Sequence, residues 1–481
     1  MEISITIICF SIFLIIFLGI GAFAAKFSTN TDSDYLLGNR SFGKLFIGLS
    51  AGATSNSGWI MTGGVGFGYS MGTYSLLMWL GYLLGDLTFW ILFPDKINKI
   101  SIEQDSQTVP ELIGLSLENT REKRIIATIV AILTLIFVGV SIVAQFTAAA
   151  KTLNAFFGLQ YEWGVIIAAA TILVYCVTGG IRASIWTDVV QAFVVMFVSY
   201  SVLVIGTIAA GGVSQIIDSL YNIDPQLVDV TLNRAWWTLV AYVCGFFACG
   251  LGFNLSQPQF LVRLMAGKNP EEVRQAKWIY LGYVYSTYLA MVLFGIISRV
   301  LLTNISDPEQ ALPLYALENF NPILVGIVLA GIFSIIASTA DSQILVCSSA
   351  VGRDIAPGFY QKMSQTYGVR YQQFMTLLVG IVSIFGAIFI TSTVFELILL
   401  AIGALAGSIA PAMLITILNR PTHSTVLSSM MLVGLASAIA WRVIGLNTII
   451  NEAVPAIIIS LLLHEILMKT CFKSKSKLTE N

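Results

Sequence analysis

Apolar residues run through this chain in long windows separated by short polar segments, a pattern typical of helices that cross a lipid bilayer. A helix needs roughly 20 consecutive apolar residues to span the hydrocarbon core. Windows of that length lie at 3–25, 45–70, 73–94, 125–150, 162–179, 188–210, 236–259, 278–302, 322–349, 372–391, 395–418, 424–444 and 450–468. The pattern predicts an all-α polytopic membrane protein with about 13 transmembrane helices.

Lysine and arginine residues fall almost entirely in alternate loops of this arrangement. If the C-terminus is cytoplasmic, 21 of the 25 lie in cytoplasmic segments, and only Lys151, Arg234, Arg299 and Arg442 lie outside. Cytoplasmic loops carry the excess of positive charge, and one miscounted span would invert every later loop. The distribution predicts a cell-membrane protein with its N-terminus outside and its C-terminus in the cytoplasm.

The composition excludes several functional classes. The 481 residues are 57% hydrophobic and 11% charged, and the formal net charge of −1 leaves no basic surface for a nucleic-acid partner. The six cysteines are scattered singly and accompany two histidines, which predicts neither disulfides nor a zinc site. Because no ATP-binding or catalytic motif is present, we expect a protein that is not an enzyme and needs no cofactor.

Two of the apolar windows are interrupted by glycines. Residues 50–72 contain seven glycines and the polar run Thr54–Ser57, and residues 244–258 contain three more glycines. Within a bilayer, broken helix is tolerated only where it is buried in protein or lines a cavity, and its free carbonyls can bind a cation. The second interruption comes five windows after the first. This spacing predicts two five-helix halves with a transport site between them.

The ninth window carries hydroxyl side chains at helical spacing around one carboxylate, Asp341. An ionised carboxylate at the bilayer centre costs at least about 2.5 kcal/mol, so it normally faces a partner or an aqueous cavity. Oxygen ligands without Cys or His suit an alkali cation. For any single Ser or Thr, a hydrogen bond to its own helix is the alternative.

Further polar and aromatic side chains stand inside apolar windows. Asp188 is equally well explained as a helix N-cap, and Asp86 pairs with either a buried donor or an ion. Gln145 and Gln257 either line a substrate cavity or make interhelical hydrogen bonds. Trp59 lies in the first interrupted window, where an aromatic ring can form the wall of a substrate cavity.

Five motifs carry a resemblance to a known family: SDYLLGNRS (33–41), LSAGATSNSGW (49–59), SIWTDVVQA (184–192), SQPQFLVRLMA (256–266) and STADSQILVCSSAVGRD (338–354). With these motifs the chain resembles the sodium:solute symporter family, in particular its sodium/proline symporter branch, over nearly its whole length. The resemblance implies a leucine-transporter-type core of five plus five helices in an inverted repeat, with one extra helix before it and two after it.

This implied architecture divides the chain into five parts. The first transmembrane helix and a cytoplasmic loop occupy 1–44, and the first five-helix repeat occupies 45–210. An external loop covers 211–235, and the second repeat covers 236–418. Two C-terminal helices and a basic cytoplasmic tail make up 419–481.

The resemblance also implies binding residues. A first sodium site would use the carbonyls of Ala53, Asn56 and Ile335 and the hydroxyls of Ser338 and Thr339. A second would use Asp188, Ser338, Asp341 and Ser342. The expected substrate-binding residues are Ser57, Trp59, Gly63, Gln145, Asn254 and Gln257. The chain departs from proline symporters at Ser55, where they carry Asp, and at Ser141 and 250–254, where they carry aromatic residues nearby.

These features together predict a sodium-coupled secondary active symporter that imports proline or a related amino acid by alternating access. Its expected partners are the small solute, sodium as the co-transported ion, and the lipid bilayer. The alternatives are a sodium symporter for another small carboxylate or solute, and a transporter-like solute sensor, because such domains also occur fused to histidine kinases. A passive channel is disfavoured because two broken helices around one site suit occlusion better than an open pore.

Overall fold

The computed structural model describes residues 2–29, 31–303, 305–390 and 393–472, and these residues form helices joined by short turns. The first half contains α1 (Glu2–Ala25), α2 (Asp32–Leu37), α3 (Lys44–Trp59), α4 (Val65–Met71), α5 (Ser75–Leu92), α6 (Pro94–Glu103), α7 (Val109–Ile113), α8 (Thr120–Phe157), α9 (Tyr161–Ala209) and α10 (Val213–Ile223). The second half contains α11 (Trp236–Ser256), α12 (Pro258–Met265), α13 (Pro270–Leu301), α14 (Ala311–Asn319), α15 (Pro322–Ser349), α16 (Pro357–Tyr367), α17 (Val369–Phe389), α18 (Val394–Ile417), α19 (Ser424–Val443) and α20 (Ala453–Leu467).

Eleven helical segments of the described chain are long and apolar enough to cross a membrane, so thirteen separate spans are not confirmed. Two of the eleven, Lys44–Leu92 and Tyr161–Ala209, are 49 residues long, and each overlaps two predicted windows. A straight helix of that length measures about 73 Å, more than twice the roughly 30 Å thickness of the hydrocarbon core. Neither segment is straight, because Gly72 (φ +55°) separates α4 from α5 and Gly180 (φ +54°, ψ −150°) interrupts α9. The all-α polytopic membrane fold is confirmed.

Helix α15 lies at the centre of the bundle. It packs against α1, α3, α8 and α9, and every residue from Val328 to Ser349 is buried. Large apolar side chains such as Phe193, Phe197 and Val204 of α9 are exposed instead on the outer surface. The hydroxyl stripe of the ninth window therefore faces protein on all sides, while apolar residues form the surface that suits lipid.

The first interrupted window is not a regular helix, as predicted, but its break falls at Ser57 and not at a glycine. Ser57 has φ +50° and ψ 166°, and a π-helical turn over Ile60–Gly64 then leads into α4. A non-glycine residue in this backbone region costs on the order of 1–3 kcal/mol and persists only where the surroundings hold it. The contacts that hold it belong to other helices.

The second interrupted window is also broken. Helix α11 ends at Ser256, Gln257 is extended (φ −90°, ψ 105°), and Pro258 occupies the first position of α12. Proline is favoured at the first position of a helix because its missing N–H would have no intrahelical partner there. All eight residues of α12 are buried, so the chain continues inside the bundle after this break.

Candidate functional site

The break at Ser57 frees backbone carbonyls of α3 from their helical partners. In a regular helix the Gly58 N–H would bond the Thr54 carbonyl. It donates instead to Gln145 Oε1 of α8, at 2.9 Å. Gln145 therefore stabilises the break from outside the helix, and the Thr54 carbonyl is open to another partner.

Two further backbone N–H groups bond Ser57 at the break. The Trp59 N–H bonds Ser57 Oγ at 3.1 Å. The Ile60 N–H bonds the Ser57 carbonyl and not that of Asn56. The Asn56 carbonyl is thus without its regular helical partner, and such a carbonyl can coordinate a cation.

Two hydroxyls of α15 approach the carbonyls at this break. Ser338 Oγ lies 3.2 Å from the Ala53 carbonyl and 3.1 Å from that of Ile335. Thr339 Oγ1 lies 3.2 Å from the carbonyls of both Thr54 and Ile335. The two hydroxyls supply two protons to three carbonyl oxygens with two lone pairs each, so this fully buried group has an excess of acceptors.

Four of the five residues expected for the first sodium site, Ala53, Ile335, Ser338 and Thr339, are thus brought together. The fifth, Asn56, lies at the end of the regular part of α3. Its side-chain Nδ2 donates to Thr287 Oγ1 of α13 at 3.0 Å, and its carbonyl does not accept the Ile60 N–H because of the break.

A second buried group contains the residues expected for the second sodium site, together with a residue that the sequence analysis placed elsewhere. Arg263 of α12 is fully buried, although the charge count assigned it to a cytoplasmic loop. Its Nη2 lies 2.6 Å from Ser184 Oγ, 3.5 Å from Asp188 Oδ2 and within hydrogen-bonding distance of Ser342 Oγ. The assignment of Arg263 to a loop was wrong because α12 continues inside the bundle after the break at Gln257.

The two carboxylates of this group are held by different hydroxyls. Asp341 Oδ1 accepts from Ser184 Oγ at 3.0 Å and Ser342 Oγ at 2.9 Å, while Asp188 Oδ2 accepts from Ser50 Oγ at 2.6 Å. Within the described ranges, Asp188 Oδ1 and Asp341 Oδ2 have no hydrogen-bond partner. One guanidinium balances only one of two ionised carboxylates, so the group carries a net charge of −1 when both are ionised.

A cavity with six aromatic side chains in its lining, called here the aromatic cavity, also borders the break. Its lining includes Ser55, Ser57, Trp59, Met78, Trp79, Tyr82, Phe246, Cys249, Phe253, Tyr288, Val292, Ile398, Leu399 and Ile402. The rings of Tyr82 and Tyr288 stack with centroids 5.9 Å apart, and Tyr288 Oη lies 3.4 Å from the Ser55 carbonyl. The broken helix therefore separates an oxygen-rich group from an aromatic cavity.

The six residues expected to bind substrate fall into different places. Ser57 and Trp59 line the cavity, and a Cβ on Gly63 would lie 3.2 Å from the Trp59 ring. Gln145 holds the break. Asn254 bonds Asp86 of α5, and Gln257 Oε1 accepts from Gln259 Nε2 at 2.8 Å, so neither of these two is part of the cavity lining.

Most of the cavity wall was missed by the sequence analysis. Phe253 lies in the second interrupted window, which offered a signal that could have found it. Tyr82 of α5 and Tyr288 of α13 stand in ordinary apolar windows, where nothing in the local pattern distinguishes a cavity-lining ring from a packed one. Ile398 and Ile402 of α18 are equally inconspicuous.

The model of the sodium:solute symporter family matches residues 35–434 of the chain. Three of the similar curated proteins are proline transporters. The osmoregulated proline transporter OpuE of Bacillus subtilis is 26% identical over 95% of this chain and 93% of its own. The high-affinity proline transporter PutP of the same organism is 27% identical over 92% of this chain and 93% of its own length. The sodium/proline symporter of Escherichia coli is 28% identical over 91% and 87%.

Two solved structures share the fold. A sodium-coupled sialic acid symporter in a substrate-bound, outward-open state superposes with a TM-score of 0.80 and 18% identity, covering 96% of this chain and 97% of its own. The nucleobase-cation-symport transporter Mhp1, in a closed conformation, superposes with a TM-score of 0.58 and 15% identity, covering 92% and 95%. These likenesses establish the leucine-transporter-type fold predicted from the sequence.

Proposed function

This chain belongs to the sodium:solute symporter family, and on that basis we propose that it imports proline or a closely related amino acid, driven by sodium. The observation that carries the proposal is the break at Ser57, beside which carbonyls of α3 meet the hydroxyls of α15. Three proline transporters among its relatives supply the substrate class.

The sodium ion of this proposal binds at the acceptor-rich group between α3 and α15. Its ligands are the carbonyls of Ala53, Asn56 and Ile335 and the hydroxyls of Ser338 and Thr339. Sodium is a hard cation that prefers oxygen ligands, and the excess of lone pairs over protons leaves acceptors free to bind it. The second sodium site around Asp188 and Asp341 stays a prediction, and Asp188 there already pairs with Arg263.

The substrate of this proposal binds in the aromatic cavity. Its rings can cover the apolar face of a small solute, and Trp59 and the tyrosines offer π-faces to a protonated amine. Ser55 and Ser57, at the break itself, provide polar atoms for the carboxylate end. Because α3 touches both ligands, each one stabilises the helix geometry that the other requires, and this coupling is reciprocal.

Transport then proceeds by alternating access, with the N-terminus outside and the C-terminus in the cytoplasm as the positive charges predict. Sodium binding holds α3 against α15, and solute binding completes the cavity wall. Movement of the broken helices relative to α15 separates the freed carbonyls from Ser338 and Thr339, which weakens the sodium site and releases both ligands.

Reconstituted proteoliposomes test the proposal. An inward sodium gradient should concentrate radiolabelled proline inside the vesicles above its external concentration, and a sodium ionophore should abolish the accumulation. An equal potassium gradient is the control. Equilibration of proline without accumulation under the sodium gradient would contradict symport, and accumulation of another amino acid in its place would change the substrate and leave the mechanism standing.

A further inference from the structure

A third buried polar group lies beside the aromatic cavity, on the side of α3 that faces α5, α11 and α13. Asp86 of α5 is its only ionisable carboxylate, and Asn254, Tyr280 and Ser55 complete it. Asp86, Asn254 and Tyr280 are fully buried, and Ser55 is 4% exposed. Because these side chains are buried, their hydrogen bonds have to be accounted for within the bundle.

Two glycines bring the backbones of α5 and α11 into contact at this point. A Cβ on Gly85 would lie 2.1 Å from the Phe247 carbonyl oxygen, and a Cβ on Gly250 would lie 2.2 Å from that of Tyr82. Only glycine permits this separation. The close approach holds Asp86 directly against Asn254, which belongs to the interrupted helix.

The hydrogen bonds leave acceptors unused. Asp86 Oδ1 accepts from Asn254 Nδ2 at 2.6 Å and from Tyr280 Oη at 3.0 Å. Tyr280 Oη also lies 3.0 Å from Ser55 Oγ, so its single proton faces two acceptors. Asp86 Oδ2 and Asn254 Oδ1 have no hydrogen-bond partner in the described part of the chain.

The charge is also unbalanced. The groups that donate to Asp86 are a neutral amide and a neutral phenol, and no ion pair of the described residues includes this carboxylate. An isolated ionised carboxylate inside a membrane protein is costly unless a partner or an ion compensates it. By contrast, Asp188 pairs with the guanidinium of Arg263, and Asp341 is joined to it through Ser184 and Ser342.

We propose that Asp86, Asn254, Tyr280 and Ser55 bind one alkali cation at a site distinct from the sodium site between α3 and α15. One carboxylate neutralises one monovalent ion, whereas a divalent ion is normally held by more than one carboxylate or by phosphate as well. The remaining ligands are neutral oxygens, which suit a hard cation. That the ion is sodium rests on the proposed function. That a cation site exists does not.

The site is placed to act on the substrate cavity. Ser55 contributes both to this group and to the cavity lining, and Tyr82, which lines the cavity, lies one helical turn before Asp86. A cation here would draw α5 and α11 towards the broken helix α3. Its occupancy would therefore change the shape of the cavity, and solute binding would change the affinity for the ion by the same factor.

Sodium binding to the purified protein in detergent tests the proposal, without any need for transport. Radioactive sodium is titrated against wild-type protein and the variants Asp86→Asn, Ser338→Ala and the double variant, in choline buffer. Asp86→Asn keeps the shape of the side chain and removes the charge. It should bind one sodium ion fewer than wild type at saturation, or bind one ion roughly tenfold or more weakly, as expected when a direct ligand is lost. The double variant, which combines Asp86→Asn with Ser338→Ala, should show the sodium-binding losses of both single variants, independently of each other.

Asp354→Asn is the matched control, because Asp354 is also a buried aspartate with a hydroxyl partner, Thr108, but lies in a different part of the bundle. It should bind sodium as wild type does. Sodium binding by Asp86→Asn equal to that of wild type would overturn the proposal. Normal sodium binding with loss of proline binding would also overturn it, because Asp86 would then serve the substrate's amine.

A variant that moves the charge provides a second route if Asp86→Asn does not fold. The double variant Ser55→Asp/Asp86→Asn moves the carboxylate to position 55. This position contacts the same Tyr280 hydroxyl as Asp86 does, so the charge stays within the group. Restored binding of the sodium ion supports the proposal, and a folded double variant that still lacks this ion overturns it. If the protein binds a sodium ion that depends on Asp86 but does not transport proline, the proposed function is rejected and the cation site stands.

Discussion

Lys151 Nζ lies 2.6 Å from Glu309 Oε2, and the other oxygen of the same carboxylate accepts the Phe395 N–H at 3.1 Å. Phe395 in turn stacks on Trp59, with ring centroids 6.1 Å apart. One carboxylate thus links α8 to the first turn of α18 and, through Phe395, to a ring of the cavity wall. This arrangement connects an ion pair to the substrate cavity.

Two substitutions at Glu309 should separate the charge from the backbone contact. Glu309→Gln removes the charge but retains an oxygen for the Phe395 N–H, whereas Glu309→Ala removes both. We expect Glu309→Ala to raise the proline concentration for half-maximal uptake by about tenfold and Glu309→Gln by clearly less, because Glu309→Ala takes the acceptor from the Phe395 N–H and leaves Lys151 with Asp307 as its remaining ion-pair partner. Uptake kinetics in proteoliposomes measure both. Equal effects of the two variants would assign the role to the ion pair alone.

The hydroxyls of α15 should determine the sodium dependence of transport. Ser338→Ala and Thr339→Ala each remove one oxygen from the acceptor-rich group, so each should raise the sodium concentration for half-maximal uptake, by roughly threefold to tenfold for one lost neutral ligand. Ser334→Ala is the control, because Ser334 bonds only the Ala330 carbonyl of its own helix, at 2.6 Å. The prediction is wrong if Ser334→Ala shifts the sodium dependence as much as the other two.

In the group around Arg263, one substitution should abolish transport and another should lower the stability of the protein. Asp341→Asn should abolish transport almost completely but leave the thermal stability close to that of wild type, because Arg263 and Asp188 still balance each other. Arg263→Met leaves two buried carboxylates without a cation and should destabilise the protein by about 3–5 kcal/mol. Fluorescence-detected size-exclusion chromatography after heating measures the thermal stability of both variants.

Charge balance also predicts a rescue within this group. Arg263→Met/Asp341→Asn carries one buried carboxylate and not two, so it should regain part of the stability lost in Arg263→Met. Additive losses in the double variant would show that Asp341 and Arg263 do not interact.

Cys249 offers a probe of the cavity without an engineered cysteine. It is buried and lines the cavity beside Tyr82 and Phe253. A small maleimide that reaches it during transport should inactivate uptake, and proline with sodium should protect, because solute and reagent compete for the same space. Cys249→Ala should transport normally and resist the reagent. Inactivation of Cys249→Ala at the wild-type rate would place the reactive thiol outside the cavity.

The features that could be predicted from the sequence are those with a local cause. Glycines within an apolar window predict a broken helix because the bilayer cannot satisfy its free backbone groups, and the first window is broken. In the second window α11 runs unbroken through its three glycines, and the chain breaks only at Gln257, before Pro258. The hydroxyls of 334–349 follow helical spacing, and Ser338 and Thr339 among them contact the carbonyls beside the break. The exact position of the first break could not be predicted, since Ser57 is held by Gln145 of another helix.

What the sequence could not provide depends on contacts between distant segments. Arg263 looks like a loop residue because it follows a proline and precedes polar residues, yet α12 carries it into the core, 79 positions from its partner Ser184. Asp86 and Tyr280 are 194 positions apart, so neither could be recognised as part of a shared group. The count of thirteen spans is not confirmed, because two of the eleven helical segments each cover two predicted windows, with bends at Gly72 and Gly180.

The partners of the Ser57 break have a consequence for the biosynthesis of the protein. The Gly58 N–H bonds a residue 87 positions later, and the carbonyls of Ser55 and Thr54 contact hydroxyls 233 and 285 positions later. When α3 leaves the ribosome, none of these partners exists, and hydrocarbon offers no substitute for them. The segment must therefore enter the membrane with its backbone groups bonded to one another, as an unbroken helix or still shielded by the insertion machinery. It acquires its broken form only after α15 has been synthesised.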